Sequence, residues 1–495
     1  MHWFDRCARD FVIAKDKRFA LLSGVSLRRN YSWRSKQSAP VCRSDDLILQ
    51  LVCLMRETVQ YIRHVLPLLL QSVPLAERPA VPMIDTILSK QNALPPDLWG
   101  LLYDRWQPTP EEGSTIFLTG LENRGPDNLK KRIYVSALTP DLYGSMYQEK
   151  IVGFWKKLFA PVNEEKPLLR LYLDIYFDLY WDLHLGIAPD AIPQEVRDIG
   201  AAFISVLAYR NPFKYITYKN YLKVRKLRPF LKKWIDTNVN IIVGGEKPGH
   251  INTFVHYWLK NNIDGVFKRE DIVFEIFHNF VALSQWGNML HSIVDLLAID
   301  GGNPDVKKWL DGRLTEDWLG PFVMELFRFI APNLGSFSTS PMVRKSPITG
   351  SQGHVLTAHA SACRDPRHWQ RPDDFDPERF DKHADVRIPT ACPFKITKMR
   401  VKDGRNVDMT NTPFGAVYGE RDQIPMPVLD YPGYAPFGFG YRRCAGELFT
   451  VEVFKDLIRR IIDDKLMFRA ITANPKKVPV GPFLVIEDRM GFVRK

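Results

Sequence analysis

A chain of 495 residues exceeds the usual single domain but is compatible with one large fold. Hydrophobic residues make up 45% and aromatics 12%, which excludes a disordered chain and leaves material for a sizeable core around an apolar pocket. The formal charge of +12 favours an acidic partner or an anionic membrane surface. No zinc-finger, glycine-rich RNA-binding or basic-zipper pattern accompanies it, so nucleic acid is not an expected partner.

The chain opens with MHWFDRCARDFVIAKDKR, charged throughout and without the apolar core of a secretory signal or spanning helix. The six cysteines, Cys7, Cys42, Cys53, Cys363, Cys392 and Cys444, form no CxxC pair and no dense even framework, which points to a reducing, cytoplasmic setting. Residues 45–69 carry a helical period that ends where proline interferes. The stretch VLPLLLQSVPL reaches about half of the ~20 residues needed to span a bilayer, so burial or a linker turn is expected, with peripheral membrane contact as the alternative.

Amphipathic helices follow in LRLYLDIYFDLYWDLH, AAFISVLAYR and LRPFLKKWIDTNVNIIV. Residues 271–298, DIVFEIFHNFVALSQWGNMLHSIVDLLA, are apolar on more than one face and predict a buried central helix. A further helix is predicted over 315–330, stopping before Pro332. The next hundred residues turn to proline, glycine and short alternating runs, the texture of loops and small sheets. A last helix is predicted from Gly446 to about Leu466, and VGPFLVIEDRMGFV reads as a closing strand pair.

In PFGFGYRRCAGELFTVEVF a glycine-rich turn delivers one cysteine just before an apolar helix. Glycine permits close backbone approach to a flat cofactor, and amides at a helix start stabilise a thiolate. Phe437, Gly440, Arg442, Cys444 and Gly446 stand at the spacing of the haem loop of the cytochrome P450 superfamily, which this chain resembles. The resemblance implies a mainly α fold with a small β subdomain and haem b (iron protoporphyrin IX) as cofactor. Cys444 would be the axial ligand, Phe437 would pack beside the loop and Arg442 would approach a propionate. It also implies that Glu325, Arg328 and Arg379, from MELFRF and DPERF, form a structural network binding a helix to the segment beneath the haem. Upstream, GPDNLKKRIYVSAL resembles the helix that supplies a cationic haem contact, assigned to Arg132, with Asn128 where a histidine is common and Lys130 or Lys131 facing solvent. Another basic propionate contact of many relatives falls on Ser338, for which Arg344 would compensate only in a different loop.

Oxygen-activating members carry an acid followed by threonine in the central helix. Here the corresponding residues are Ala282, Leu283, Ser284, Gln285 and Trp286. Glutamine binds water but delivers no proton readily, and tryptophan donates one hydrogen bond without relaying. HNFVALSQWGNM resembles the central helix of plant-type allene oxide synthases and hydroperoxide lyases, which implies that Asn288 or Gln285 orients a peroxide while Trp286 and Phe280 wall an apolar chamber.

Three readings stay open from the sequence. They are an enzyme using a peroxide or lipid hydroperoxide, a monooxygenase driven by a redox partner on a small apolar substrate, and a non-catalytic haem sensor or carrier. Residues 80–495 are taken as the haem domain and residues 1–79 as an extension or leading helices. The basic stretch over 381–435 is read as a solvated insertion on the side where an electron donor would dock.

Overall fold

The computed structural model describes residues 133–208, 215–245, 251–262, 265, 267–332, 336–339, 354–357, 359–366, 369–380, 398–400, 406–411, 416–421, 424–430, 434–438, 444–480 and 484–495. The N-terminal helix, the apolar stretch at 65–75 and the boundary near residue 80 lie outside the described residues.

Nine helices of eight residues or more carry the described fold: α1 (Gln148–Leu158), α2 (Leu168–Leu185), α3 (Gln194–Ala208), α4 (Tyr215–Gly244), α5 (Phe254–Asn261), α6 (Arg269–Leu297), α7 (Pro304–Gly312), α8 (Glu316–Ile330) and α9 (Glu447–Asp463). Their ends follow local chemistry. Thr253 caps α5 by accepting from the His256 amide at 3.2 Å. Asn303 caps α7 with Pro304 at its first position. Gly186 closes α2 at φ 66°, a left-handed conformation that glycine adopts without Cβ strain.

The predicted central helix is α6, and α2, α3, α4 and α8 pack around it. Its contact with α2 is aromatic: the Tyr180 ring stacks on Phe280 at 4.5 Å and 14°, and Trp181 meets Phe280 edge-on at 5.2 Å. Gly287 is needed at the same seam, because a Cβ there would sit 2.9 Å from the Tyr172 ring. Between α2 and α6 lies a buried polar chain. The Tyr134 hydroxyl donates to Asn279 Oδ1 at 2.6 Å, the Asn279 amide reaches His184 Nε2 at 3.0 Å, and His184 Nδ1 lies 2.8 Å from the Tyr180 carbonyl.

The strands form small antiparallel sheets. β1 (Ser336–Thr339) pairs with β2 (His354–Thr357). A four-stranded meander of β3 (Lys398–Arg400), β4 (Asn406–Asn411), β5 (Ala416–Arg421) and β6 (Ile424–Asp430) occupies the stretch read as a solvated insertion. Pro425 and Pro427 are tolerated because β6 is an edge strand.

Two expectations are corrected. The last helix stops at Asp463, three residues early, because Lys465 turns left-handed at φ 49° and Leu466 starts a strand. VGPFLVIEDRMGFV does not pair with itself. β9 (Val485–Asp488) pairs back to β8 (Lys476–Pro479), and β10 (Met490–Arg494) pairs with β7 (Leu466–Ala470). Only Arg489 separates β9 from β10, too short for a hairpin turn. The buried Asp488 carboxylate also pulls the chain aside by accepting from the Leu169 and Arg170 amides at 3.0 and 2.8 Å.

His184 makes the fold acid-sensitive. Burial pulls its imidazole from 6.5 down to about 3, so the folded chain keeps it neutral while the unfolded chain protonates it. Its stabilising contribution is full above about pH 6.5 and is lost as pH falls toward 3, a loss of about 2 kcal/mol by about pH 5. Denaturation midpoints measured near neutrality and near pH 5 check this, and in His184→Gln the difference between the two should shrink by about that amount.

Candidate active site

The most constrained polar contact in the described residues lies on α8. Glu325 and Arg328, three residues apart, are both fully buried. Arg328 Nε and Nη2 donate to the two Glu325 oxygens at 2.6 and 2.7 Å, the parallel fork that guanidinium and carboxylate geometry allow. The other donors of Arg328 reach the carbonyls of Cys363, Pro372 and Asp374 at 2.8, 2.8 and 2.9 Å. Glu325 Oε1 also accepts from the Asp376 amide at 2.8 Å and lies 3.5 Å from Arg379 Nε. Arg379 in turn donates to the Gln370 and Arg371 carbonyls. Burial holds the Glu325 carboxyl above its usual range against the opposing pull of the Arg328 guanidinium. One ion pair thus ties α8 to the chain between Cys363 and Arg379.

That segment abuts the cysteine loop. The Ala435 amide lies 3.4 Å from Cys363 Sγ, and the Tyr434 hydroxyl donates to the Met324 carbonyl at 3.3 Å. Phe437 packs its ring on Phe327 of α8 at 4.7 Å. The Cys444 amide then donates to the Phe437 carbonyl at 2.8 Å and closes the loop. Cys444 is half-buried and lies two residues before Gly446, the cap of α9. A Cβ on Gly446 would stand 4.0 Å from Cys444 Sγ and 3.9 Å from Leu138. Tyr134 lies within electrostatic reach as well: its phenol is held well above the usual range by burial, then by the Glu275 carboxylate and Cys444.

On α6, Trp286 is buried against α9, its ring stacked on Phe449 at 6.1 Å and 19° with Nε1 3.4 Å from Thr450 Oγ1. Asn288 donates its amide to the Pro332 carbonyl at 2.9 Å, tying α6 to the end of α8. Gln285 is half-buried.

No family model and no curated protein matches the sequence. Solved structures do match. P450BioI, in complex with hexadec-9Z-enoic acid ligated acyl carrier protein, superposes with a TM-score of 0.52 at 14% identity, over 89% of this chain and 98% of that one. The chain has the cytochrome P450 fold. A second P450, CYP102L1, matches with a TM-score of 0.50 at 14% identity, over 83% of this chain and 88% of that one.

In this P450 fold the structure brings Glu325, Arg328 and Arg379 into one network, and Phe437, Cys444 and Gly446 into one loop. Arg132, Gly440 and Arg442 lie outside the described residues, as do Asn128, Lys130, Lys131 and Arg344, while Ser338 falls on β1. Of the three α6 residues, Trp286 is drawn to Thr450 on α9 and Asn288 donates one amide hydrogen to the Pro332 carbonyl. The chain Tyr134, Asn279 and His184 was not legible as a cluster, because its members come from three separated segments. The available signal was Glu275 and Asn279, polar side chains four apart on one face of a helix rich in large apolar residues.

Removing one partner of the α8 pair leaves the other buried and charged. Arg328→Ala should cost about 3–5 kcal/mol of stability, and Arg328→Lys should recover little because lysine lacks the fork. Urea melts of the purified variants check this, with lowered midpoints expected in both.

Proposed function

We propose that the chain is a haem-thiolate enzyme in which Cys444 holds the iron of haem b and a peroxide on a lipid-like substrate is the oxidant. The supporting observation is the placement of Cys444 in a P450 fold, half-buried at the amino-terminal end of α9. The surroundings suit such a group. Leu138 and Phe437 are apolar neighbours of the loop, and one thiol stands before a helix start, where amides favour a thiolate. Haem held by thiolate supplies the capacity to cleave an O–O bond.

The chain's own residues divide the remaining work. Tyr134 stays protonated and hydrogen-bonded to Asn279, holding the segment beside Cys444 against α6. Trp286 joins α6 to α9, and Asn288 joins it to the end of α8, so both fix the helix above the thiolate rather than carry protons. Gln285 is left as the polar side chain of this stretch that can orient a hydroperoxide, by donating from its amide. With neither an acid nor a threonine at 285 and 286, delivery of protons to bound dioxygen lacks its usual carriers, whereas a substrate that arrives as a peroxide brings the O–O bond with it. That the P450BioI structure carries a sixteen-carbon acyl chain supports the lipid-like class.

Purified protein loaded with haem should consume a fatty-acid hydroperoxide with no NAD(P)H and no reductase, giving an epoxide, ketol or aldehyde, and Cys444→Ser should abolish the conversion. Absence of conversion across several lipid hydroperoxides, with haem bound and substrate binding intact, would replace this reading by a monooxygenase driven by a redox partner. Stable ligand binding without turnover under either regime would point to a haem carrier.

A further inference from the structure

We infer that the outward face of α4 is a docking surface for an anionic lipid bilayer, a property that does not depend on the chemistry at Cys444. Residues 215–235 read YITYKNYLKVRKLRPFLKKWI, with seven lysines or arginines and no carboxylate. Ile216, Lys219, Lys223, Lys226, Phe230 and Lys233 follow one another at steps of three or four, which places them on one stripe of a helix. The inner side of the same helix carries Val224, Leu231 and Ile235 into the core.

The stripe faces solvent. Ile216 is 45% exposed and Phe230 41%, and Lys219, Lys226 and Lys233 are exposed between and beside them. Lys223 is paired with Asp198 at 2.6 Å, whereas Lys219, Lys226, Lys232 and Lys233 make no ion pair among the described residues. A helix face that serves only solubility intersperses acids four residues from its lysines, and like charges at that spacing repel. Here no acid of the same helix precedes Asp236, so Lys219, Lys226 and Lys233 meet no carboxylate on their own face. An external anionic surface would complement that charge.

The apolar members decide the kind of anion. A large aromatic and a β-branched side chain set among lysines form the pattern of a helix lying in the plane of a membrane interface, with lysines on the headgroups and the aromatic in the acyl boundary. Ile216 and Lys233 are separated by ~25 Å along the helix axis, enough for several headgroups at once.

Sedimentation of the full-length protein with vesicles tests the inference, comparing phosphatidylcholine alone with phosphatidylcholine containing phosphatidylserine. The protein should pellet with the anionic vesicles, stay in solution with the neutral ones, and be released as salt is raised. The double substitution Lys226→Gln with Lys233→Gln should lower partitioning ~30-fold, from about fivefold per lysine near such a surface. Phe230→Ser should lower it further, whereas Lys156→Gln with Lys308→Gln, on α1 and α7, should leave it unchanged. Thermal melts establish that each variant is folded. No binding to anionic vesicles, equal binding to both kinds, or binding indifferent to the α4 substitutions would overturn the inference, and the first two outcomes require no variant.

Discussion

The Glu325–Arg328 pair organises the part of the molecule on which the site depends. A buried guanidinium has five donors to satisfy, and here they are shared between one carboxylate and three backbone carbonyls from the segment that follows β2. That segment has almost no regular structure, so its backbone groups need partners from elsewhere. Arg328 supplies the donors and Glu325 supplies an acceptor to the Asp376 amide. The result is an irregular stretch held as firmly as a strand in a sheet. Against it rest Tyr434 and Ala435, while Phe437 packs directly on Phe327 of α8 and its carbonyl accepts from the Cys444 amide. The cysteine loop thus leans on α8 both directly and through the segment that the ion pair holds.

The central helix is held by different forces. α6 is packed by aromatic stacking against α2 and is pinned at intervals by polar side chains: Asn279 to Tyr134 and His184, Trp286 to Thr450, Asn288 to the Pro332 carbonyl. In a helix so apolar, each of these polar groups would be costly to bury alone, and each is satisfied by a residue far away in sequence. They therefore fix the rotation of the helix about its axis, which aromatic packing by itself leaves looser.

Basic charge is unevenly used across the molecule. On α9, Arg459 and Arg460 are tied to Asp456, Glu316 and Asp464. On α4 the lysines of the outward stripe lack such partners, Lys223 excepted. Ion pairs at the first place serve cohesion between helices, and unpaired charge beside exposed apolar side chains at the second serves contact with something outside.

Much of this was legible from local pattern. Helical period, caps and prolines located α6 and α8 to within two residues, and the spacing from Phe437 to Gly446 marked the cysteine loop. Glu325 and Arg328 are helix neighbours, so their pairing is a property of the sequence. Which strands pair was a different matter: β9 and β10 look like a hairpin in sequence but belong to separate sheets, because only Arg489 lies between them and Asp488, at the end of β9, is claimed by the first turn of α2. The hydrogen-bond partners of Asn288 and Trp286 were likewise decided by what stands opposite them, a carbonyl at 332 and a hydroxyl at 450. Sequence determined the elements and the thiol because those depend on neighbours within a few residues. Tertiary structure decided the partners of each buried polar group, since an unsatisfied donor in an apolar interior takes whichever acceptor the packing brings within reach, whatever its distance along the chain.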